Sequence, residues 1–331
     1  MSLQIDVKDE DRIAAAVIFI TAFIGVVVNI FIAIYLPRLP LLRNSFGRLL
    51  QLQAIGDAIF SSVWALYFAP VLFFDFKAVQ RFEVAARFGQ LCLICYDISI
   101  YSHLVISFNR FISVYFPTHY SAIFTRRFTN VLILGIVSLS FFFSLYLVFV
   151  SCQMGFSIKR WMLDYVSPPC NMTHVFYAEF MRGLVVICMF AIVNTCTFTR
   201  MSFHNRRKQG TTAFDSVQKV KRRLVERTFV QQVTIQGAIY VIELVTYFYL
   251  AQYFPIDPND VDGDPNRWPN FLLTTYAWIL VHTLDGVVTL IFNRQFRGFL
   301  RKVFTKSKST QINSKSISKA ASGGDHQHPA S

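Results

Sequence analysis

Ionisable side chains inside otherwise apolar stretches include Asp57, Asp97, Arg182, Glu243 and Asp285, with Asn29, His103 and His282 as polar companions. A charge in hydrocarbon is costly, so such groups usually face the interior of a helix bundle and mark ion, proton or ligand sites. For His103 and His282 taken singly, a hydrogen bond that joins two helices is the simpler reading. Cys92, Tyr96, Ser99, His103, Ile106 and Arg110 recur at spacings of 4, 3, 4, 3 and 4, which keeps them on one helical face. With Asp97, Tyr101 and Ser102 nearby, that helix should be central and shielded from lipid. Arg182 and Glu243 fall at depths that differ by ~6 Å, at ~1.5 Å per residue, within reach of an arginine that snorkels. This predicts an Arg182–Glu243 ion pair, against the alternative that Arg182 reaches the outer headgroups.

Enzyme chemistry has no foothold. No HExxH, GxSxG or P-loop pattern occurs in an accessible loop. Cys92 and Cys95 have CxxC spacing, but within an apolar helix they serve packing.

The elements that must position these groups are membrane helices. Hydrophobic residues make up 54% of the chain and charged residues 15%, with 35 Phe, too little polar surface for a water-soluble fold. A span needs about 20 mostly apolar residues. Seven stretches qualify: residues 13–36, 45–72, 87–116, 128–152, 176–200, 229–253 and 271–292. Backbone groups in lipid must bond one another, which makes these helices. Short alternating segments of a barrel are absent. The sequence therefore predicts an all-α seven-transmembrane bundle.

Lys and Arg concentrate in alternate loops. Arg38, Arg43 and Arg48 occupy the first, Arg126 and Arg127 the second, and a run from Arg200 to Arg227 the third; eight more lie between Arg294 and Lys319. The loop before the seventh span carries Asp257, Asp260, Asp262 and Asp264 against Arg267. This predicts a plasma-membrane protein with an extracellular N-terminus (residues 1–12) and a cytoplasmic C-terminus. The net charge of +13 is then a topology signal, and nucleic acid is not expected as a partner. The first apolar run is too long for a signal peptide and reads as a retained anchor. Asn171-Met172-Thr173 is a glycosylation sequon in a loop placed outside. Cys152 and Cys170 bracket that loop in an oxidising space, either as a disulfide or as two free thiols.

Residues 293–304 alternate Phe296, Phe299, Leu300 and Val303 with Arg294, Arg297, Arg301 and Lys302, an amphipathic helix suited to anionic membrane lipids. Residues 305–331 are Ser- and Lys-rich and should be a disordered tail. The receptor domain spans 13–304.

Seven helices in this orientation resemble a G-protein-coupled receptor, and the interior residues sharpen the likeness. Asn29 follows Gly25-Val-Val-Val, Asp57 comes 28 residues later, and Asn109-Arg110-Phe111 closes the third span. Asp285-Gly286-Val-Val-Thr289 followed by Phe296 is similar to the helix-seven signature of rhodopsin-like receptors. Gly286 replaces the usual Pro, Thr289 the Tyr, and Asn109 the acid; Ala85 stands where a bridging Cys would be. Two further runs, NSFGRLLQLQAIGD at 44–57 and YDISIYSHLVISFNRF at 96–111, resemble the nematode serpentine receptors of class X. The likeness extends over about residues 14–304.

That resemblance implies a chemoreceptor of sensory neurons and their cilia, acting in olfaction for a small-molecule or secreted ligand and signalling to a heterotrimeric G protein. It implies coupling through Arg110, Asn109 and an opposing Glu226. It also implies a polar core at Asn29, Asp57, Ser99 and Asp285 able to hold Na⁺, because two carboxylates in a low-dielectric interior need a proton or a cation between them. The ligand pocket would involve Cys92, Tyr96, Asp97, Arg182 and Glu243. Two other readings stand beside it. A receptor for an internal peptide or transmitter is one, though an amine receptor would be expected to carry an acid where Cys92 stands. A transporter is the other, disfavoured by the odd number of spans and the absence of an internal repeat.

Overall fold

Asn44 accepts from the Gly47 amide at 3.0 Å, and Thr125 from the Phe128 amide at 3.2 Å. Both satisfy orphan donors of a helix start, and each opens a membrane-length helix. A computed structural model of the protein describes residues 7–75, 82–150, 152, 154–165, 173, 176–208, 217–257, 264–293 and 296–298. Among them, seven helices are long and apolar enough to cross a membrane. We label them α1 (Val7–Tyr35), α2 (Ser45–Phe74), α3 (Phe82–Tyr115), α4 (Arg126–Phe149), α5 (Phe176–Met181 continuing as Arg182–Lys208), α6 (Val217–Phe248) and α7 (Arg267–Phe292).

The spans lie where the sequence puts them, and their ends differ for local reasons. The acidic residues ahead of the first span are helical from Val7. The Thr125 cap starts α4 at Arg126. α6 runs about three turns further toward the basic loop than expected. Pro70 lies inside α2, where a missing N–H and a ring clash would break the ladder, whereas Pro269 falls in the first turn of α7, where Pro is tolerated. A wide π-turn at Trp64–Phe68, just before Pro70, absorbs the mismatch, and a second π-turn lies at Leu272–Tyr276 in α7.

α1 packs on α2 and α7, α2 on α3, α3 on α4 and α5, and α6 on α5 and α7. α3 is the central post: 72% of its apolar window is buried, against 22% for α4. α4 turns Val131, Leu134 and Phe142 outward, each more than half exposed, which is where the excess of apolar residues goes. α1 and α7 meet through small residues. A Cβ on Gly286 would lie 2.6 Å from Asn29 Oδ1, and one on Gly25 would lie 2.6 Å from both Ser61 Oγ and Thr283 Oγ1. The position that holds Pro in rhodopsin-like receptors is here a point of close helix approach.

Between α4 and α5 lies a β-hairpin that no periodicity in the sequence signals. Strand β1 (Met154–Ser157) pairs antiparallel with β2 (Met162–Tyr165), Met154 opposite Tyr165. Its turn puts Trp161 at a φ of 53°, a left-handed conformation costly for a large side chain. Burial holds it there. The indole is fully buried against Trp268 and Phe271, donates Nε1–H to Asp11 at 2.7 Å, and carries the Arg267 guanidinium 3.8 Å above its ring. Arg267 also reaches Asp11 at 2.7 Å and the Lys159 carbonyl at 2.7 Å. The ends of α1 and α7 and the hairpin are thereby clasped together.

Residues up to Phe292 form one unit. In the second, residues 296–298 are helical; the rest of the expected amphipathic helix and all of 305–331 lie outside the described residues.

Candidate functional site

Three polar layers run along the bundle axis. At the hairpin end, α3, α5, α6 and α7 surround a cavity of about 20 Å³, walled by Tyr96, Glu179, Glu243, Tyr247, Phe248 and Trp278. That is room for about one water. Glu243 is 5% exposed and its Oε2 has no hydrogen-bond partner. Glu179 takes the Tyr165 hydroxyl from β2, and burial together with that carboxylate holds the Tyr165 phenol well above its ordinary pKa. Of the residues expected in a ligand pocket, Tyr96 and Glu243 are on the wall, and Cys92 is buried away from it.

The expected Arg182–Glu243 pair is not formed. Arg182 instead meets Asp97 at 2.8 Å and the Tyr101 hydroxyl, with its guanidinium 4.4 Å from the Phe143 ring. Azimuth decides: α3 packs directly on α5 and presents Asp97 to Arg182. An arginine largely shielded from water pairs with the carboxylate it faces, because a lone buried charge costs about 3–5 kcal/mol.

The middle layer gathers Asn29, Asp57, Ser99 and Asp285 into one network with residues of greater reach. His282 Nδ1 is 2.7 Å from Asp57 Oδ1. Asp285 Oδ2 is met by His103 Nε2 at 2.9 Å, Gln53 Nε2 at 2.8 Å and the Tyr240 hydroxyl at 3.1 Å. Ser99 shares a 2.7 Å bond with Tyr240, and Asn29 donates to the His282 carbonyl at 3.0 Å. All of these residues are buried. Gln236 adds a bond to the Asp285 carbonyl, and Gln232 one to Thr289.

This donor set does not suit Na⁺. A hard cation takes several oxygens, whereas here each carboxylate is already faced by an imidazole nitrogen and Ser99 is engaged by Tyr240. The two imidazole rings occupy the carboxylate faces that a cation would need. Of the network, the sequence reading missed Gln53, Gln232, Gln236 and Tyr240. The α6 members recur with Glu243 at spacings of 4, 4 and 3, a one-face pattern that carries the signal.

The third layer closes α3. Arg110, 8% exposed, lies 3.5 Å from the Phe46 ring of α2 and 4.6 Å from the Phe229 ring of α6, while those two rings are 4.9 Å apart. Asn109 accepts from Tyr120 in the short helix Tyr120–Ile123 at 3.2 Å. The side chain of Glu226 lies outside the described residues, as do Cys170 and Asn171; Cys152 is disulfide-bonded.

A bundle of seven helices with polar layers from cavity to Arg110 is a receptor-like arrangement, and comparison with known proteins decides the family. Residues 19–293 match the model of the serpentine type 7TM GPCR chemoreceptor Srx. The chain belongs to that family. It is similar to serpentine receptor class X 45 of Caenorhabditis elegans, at 67% identity over 299 residues covering 90% of this chain and 83% of the relative. Serpentine receptor class X-43 of the same nematode is 26% identical over 307 residues, covering 90% of this chain and 89% of the relative. As a class X serpentine receptor the protein is a multi-pass membrane receptor of a family that comprises receptors and not enzymes.

Proposed function

We propose that this receptor is chemosensory, with its N-terminus outside the plasma membrane, and that it binds a small or secreted ligand at the cavity between α3, α5, α6 and α7. One observation carries the reading. The cavity has room for about one water, so a larger ligand binds only by moving α6 away from α3 and α5. α6 carries Glu243 and Tyr247 into the cavity and, ~21 Å along the same helix, stacks Phe229 beside Arg110. A ligand that prefers the opened cavity therefore favours the state in which the Phe46–Arg110–Phe229 clamp is released. The freed Arg110 and the cleft beside it would receive a G protein.

Tyr96 links the layers. It walls the cavity, and its ring centroid is 5.8 Å from that of Trp278 and 6.0 Å from that of His282. Movement at the wall thus reaches the buried His–Asp network. Glu179 and Glu243 line the cavity while Arg182 is engaged with Asp97, and this favours, as a second reading, a transmitter receptor for a cationic ligand.

The test is the calcium or cAMP response of expressing cells to fractionated odours and secreted metabolites. A fraction active on wild type should lose potency on Glu243→Gln and lose its response on Arg110→Ala with binding retained. A tag in the loop before α7 should label on intact cells, and one at Gly210 should not. Opposite labelling would overturn the orientation, and a response indifferent to both substitutions would overturn the site.

A further inference from the structure

Near the Arg110 end of the bundle, the loop joining α1 to α2 and the start of α4 enclose a groove of about 590 Å³, a volume typical of ligand sites. Arg43, Arg48 and Arg126 line it, and no carboxylate does. Among the described residues none of the three is ion-paired, and backbone and amide oxygens hold Arg43 and Arg48. Arg43 Nε donates to the Pro37 carbonyl at 3.1 Å, and Arg48 donates to the Arg126 carbonyl at 3.3 Å and to the Asn130 side-chain oxygen. Positive charge is thus gathered with no neutralising carboxylate among the described residues that line the groove. The floor is apolar, from Leu36, Leu42 and Phe124, all buried.

We propose that this groove binds the headgroup of an anionic phospholipid of the inner leaflet, its phosphates on Arg43, Arg48 and Arg126. Guanidinium forks match phosphate oxygens in a bidentate manner. The first turns of α2 and α4 contribute to the walls and add the positive ends of two helix dipoles. The lipid source is favoured over free phosphate by what lies next to the arginines. α4 continues from Arg126 as a lipid-facing stripe of Phe128, Val131 and Leu134, each 41% to 67% exposed, against which the acyl chains would lie. Three uncompensated cations suit a headgroup with more than one negative charge. The assignment of leaflet rests on the orientation proposed above; the groove's affinity does not.

Native mass spectrometry of the detergent-solubilised full-length receptor tests this independently of orientation and of signalling. Phosphatidylinositol bisphosphate should bind in preference to phosphatidylserine, with phosphatidylcholine weakest. Each of Arg43→Gln, Arg48→Gln and Arg126→Gln should weaken it about fivefold, at about 1 kcal/mol per basic residue near a headgroup. Arg206→Gln and Arg207→Gln at the end of α5 should leave it unchanged, and melting curves of the single variants check that they fold. Equal binding of phosphatidylcholine, or affinity unaltered in all three groove variants, would overturn the site. Soluble inositol trisphosphate competing as tightly as the intact lipid would overturn the lipid assignment in favour of free phosphate.

Discussion

His282 Nδ1 lies 2.7 Å from Asp57 Oδ1 in the interior of the bundle, where both side chains are 1% exposed or less. A second imidazole, His103, faces Asp285 at 2.9 Å with the same degree of burial. Two carboxylates that the family resemblance marked as a cation site are thus matched one to one by histidines. The thermal stability of the purified receptor should be the same in NaCl as in choline chloride at equal ionic strength. A marked rise in Tm with Na⁺ alone would show that the cation enters despite the imidazoles.

The same pairs predict the cost of breaking them. His282→Phe keeps an aromatic ring of similar size against Phe60, whose centroid is 3.9 Å from that of His282, but leaves Asp57 Oδ1 without that hydrogen-bond partner. An unsatisfied buried group costs about 1–3 kcal/mol. Denaturation of the single variants and of His282→Phe combined with Asp57→Leu should show the double variant recovering part of the loss. Strict additivity would mean that the two groups do not interact.

Asp97 and Arg182 give a sharper case, because they form an ion pair with Asp97 buried and Arg182 largely shielded. Asp97→Asn and Arg182→Gln should each lower the amount of folded receptor at the cell surface, a loss of about 3–5 kcal/mol for a lone buried charge. The exchanged pair Asp97→Arg with Arg182→Asp should restore part of it. Glu243→Gln should leave surface expression at the wild-type level, because Arg182 is not its partner. Loss with Glu243→Gln and normal levels with Asp97→Asn would reverse the assignment.

The hairpin clasp is predicted to be local in its effect. Arg267→Ala removes the cation over Trp161 and the partner of Asp11. Amide exchange should quicken in the segments 154–157 and 162–165 and at the start of α1, while α3 stays protected. Uniform loss of protection across all helices would show that Arg267 instead supports the whole bundle.

The sequence carried the fold unevenly, and the reasons are physical. Span number was legible because lipid forces the backbone to satisfy itself and demands long apolar runs. Helix ends were less so: the Thr125 cap and the π-turns are local events that hydropathy does not record. The polar core was half legible. Asn29, Asp57, Ser99 and Asp285 stood out as polar groups in apolar runs, and the structure does bring them into one network. Their partners Gln53 and Tyr240 did not, because a glutamine or tyrosine in a membrane helix is less conspicuous than an acid. Arg182 shows the limit most plainly, since spacing fixes depth along a helix but not which neighbouring helix it faces. The hairpin escaped notice because two four-residue strands closed by a turn at Trp161 leave little periodicity to read.

The central claim is that α6 joins a ligand cavity to a clamp on Arg110, and it can be tested without knowing the ligand. Guanine-nucleotide exchange on a panel of heterotrimeric G proteins would be measured in membranes holding wild type, Phe229→Ala, Arg110→Ala and the double variant at matched levels. Phe229→Ala removes one face of the clamp and should raise ligand-free exchange on at least one G protein, several-fold above wild type. Adding Arg110→Ala should return it to the level of membranes without receptor. If Phe229→Ala leaves exchange at that background on every G protein tested, or if the double variant stays as active as Phe229→Ala, the clamp is not the switch and the account is contradicted.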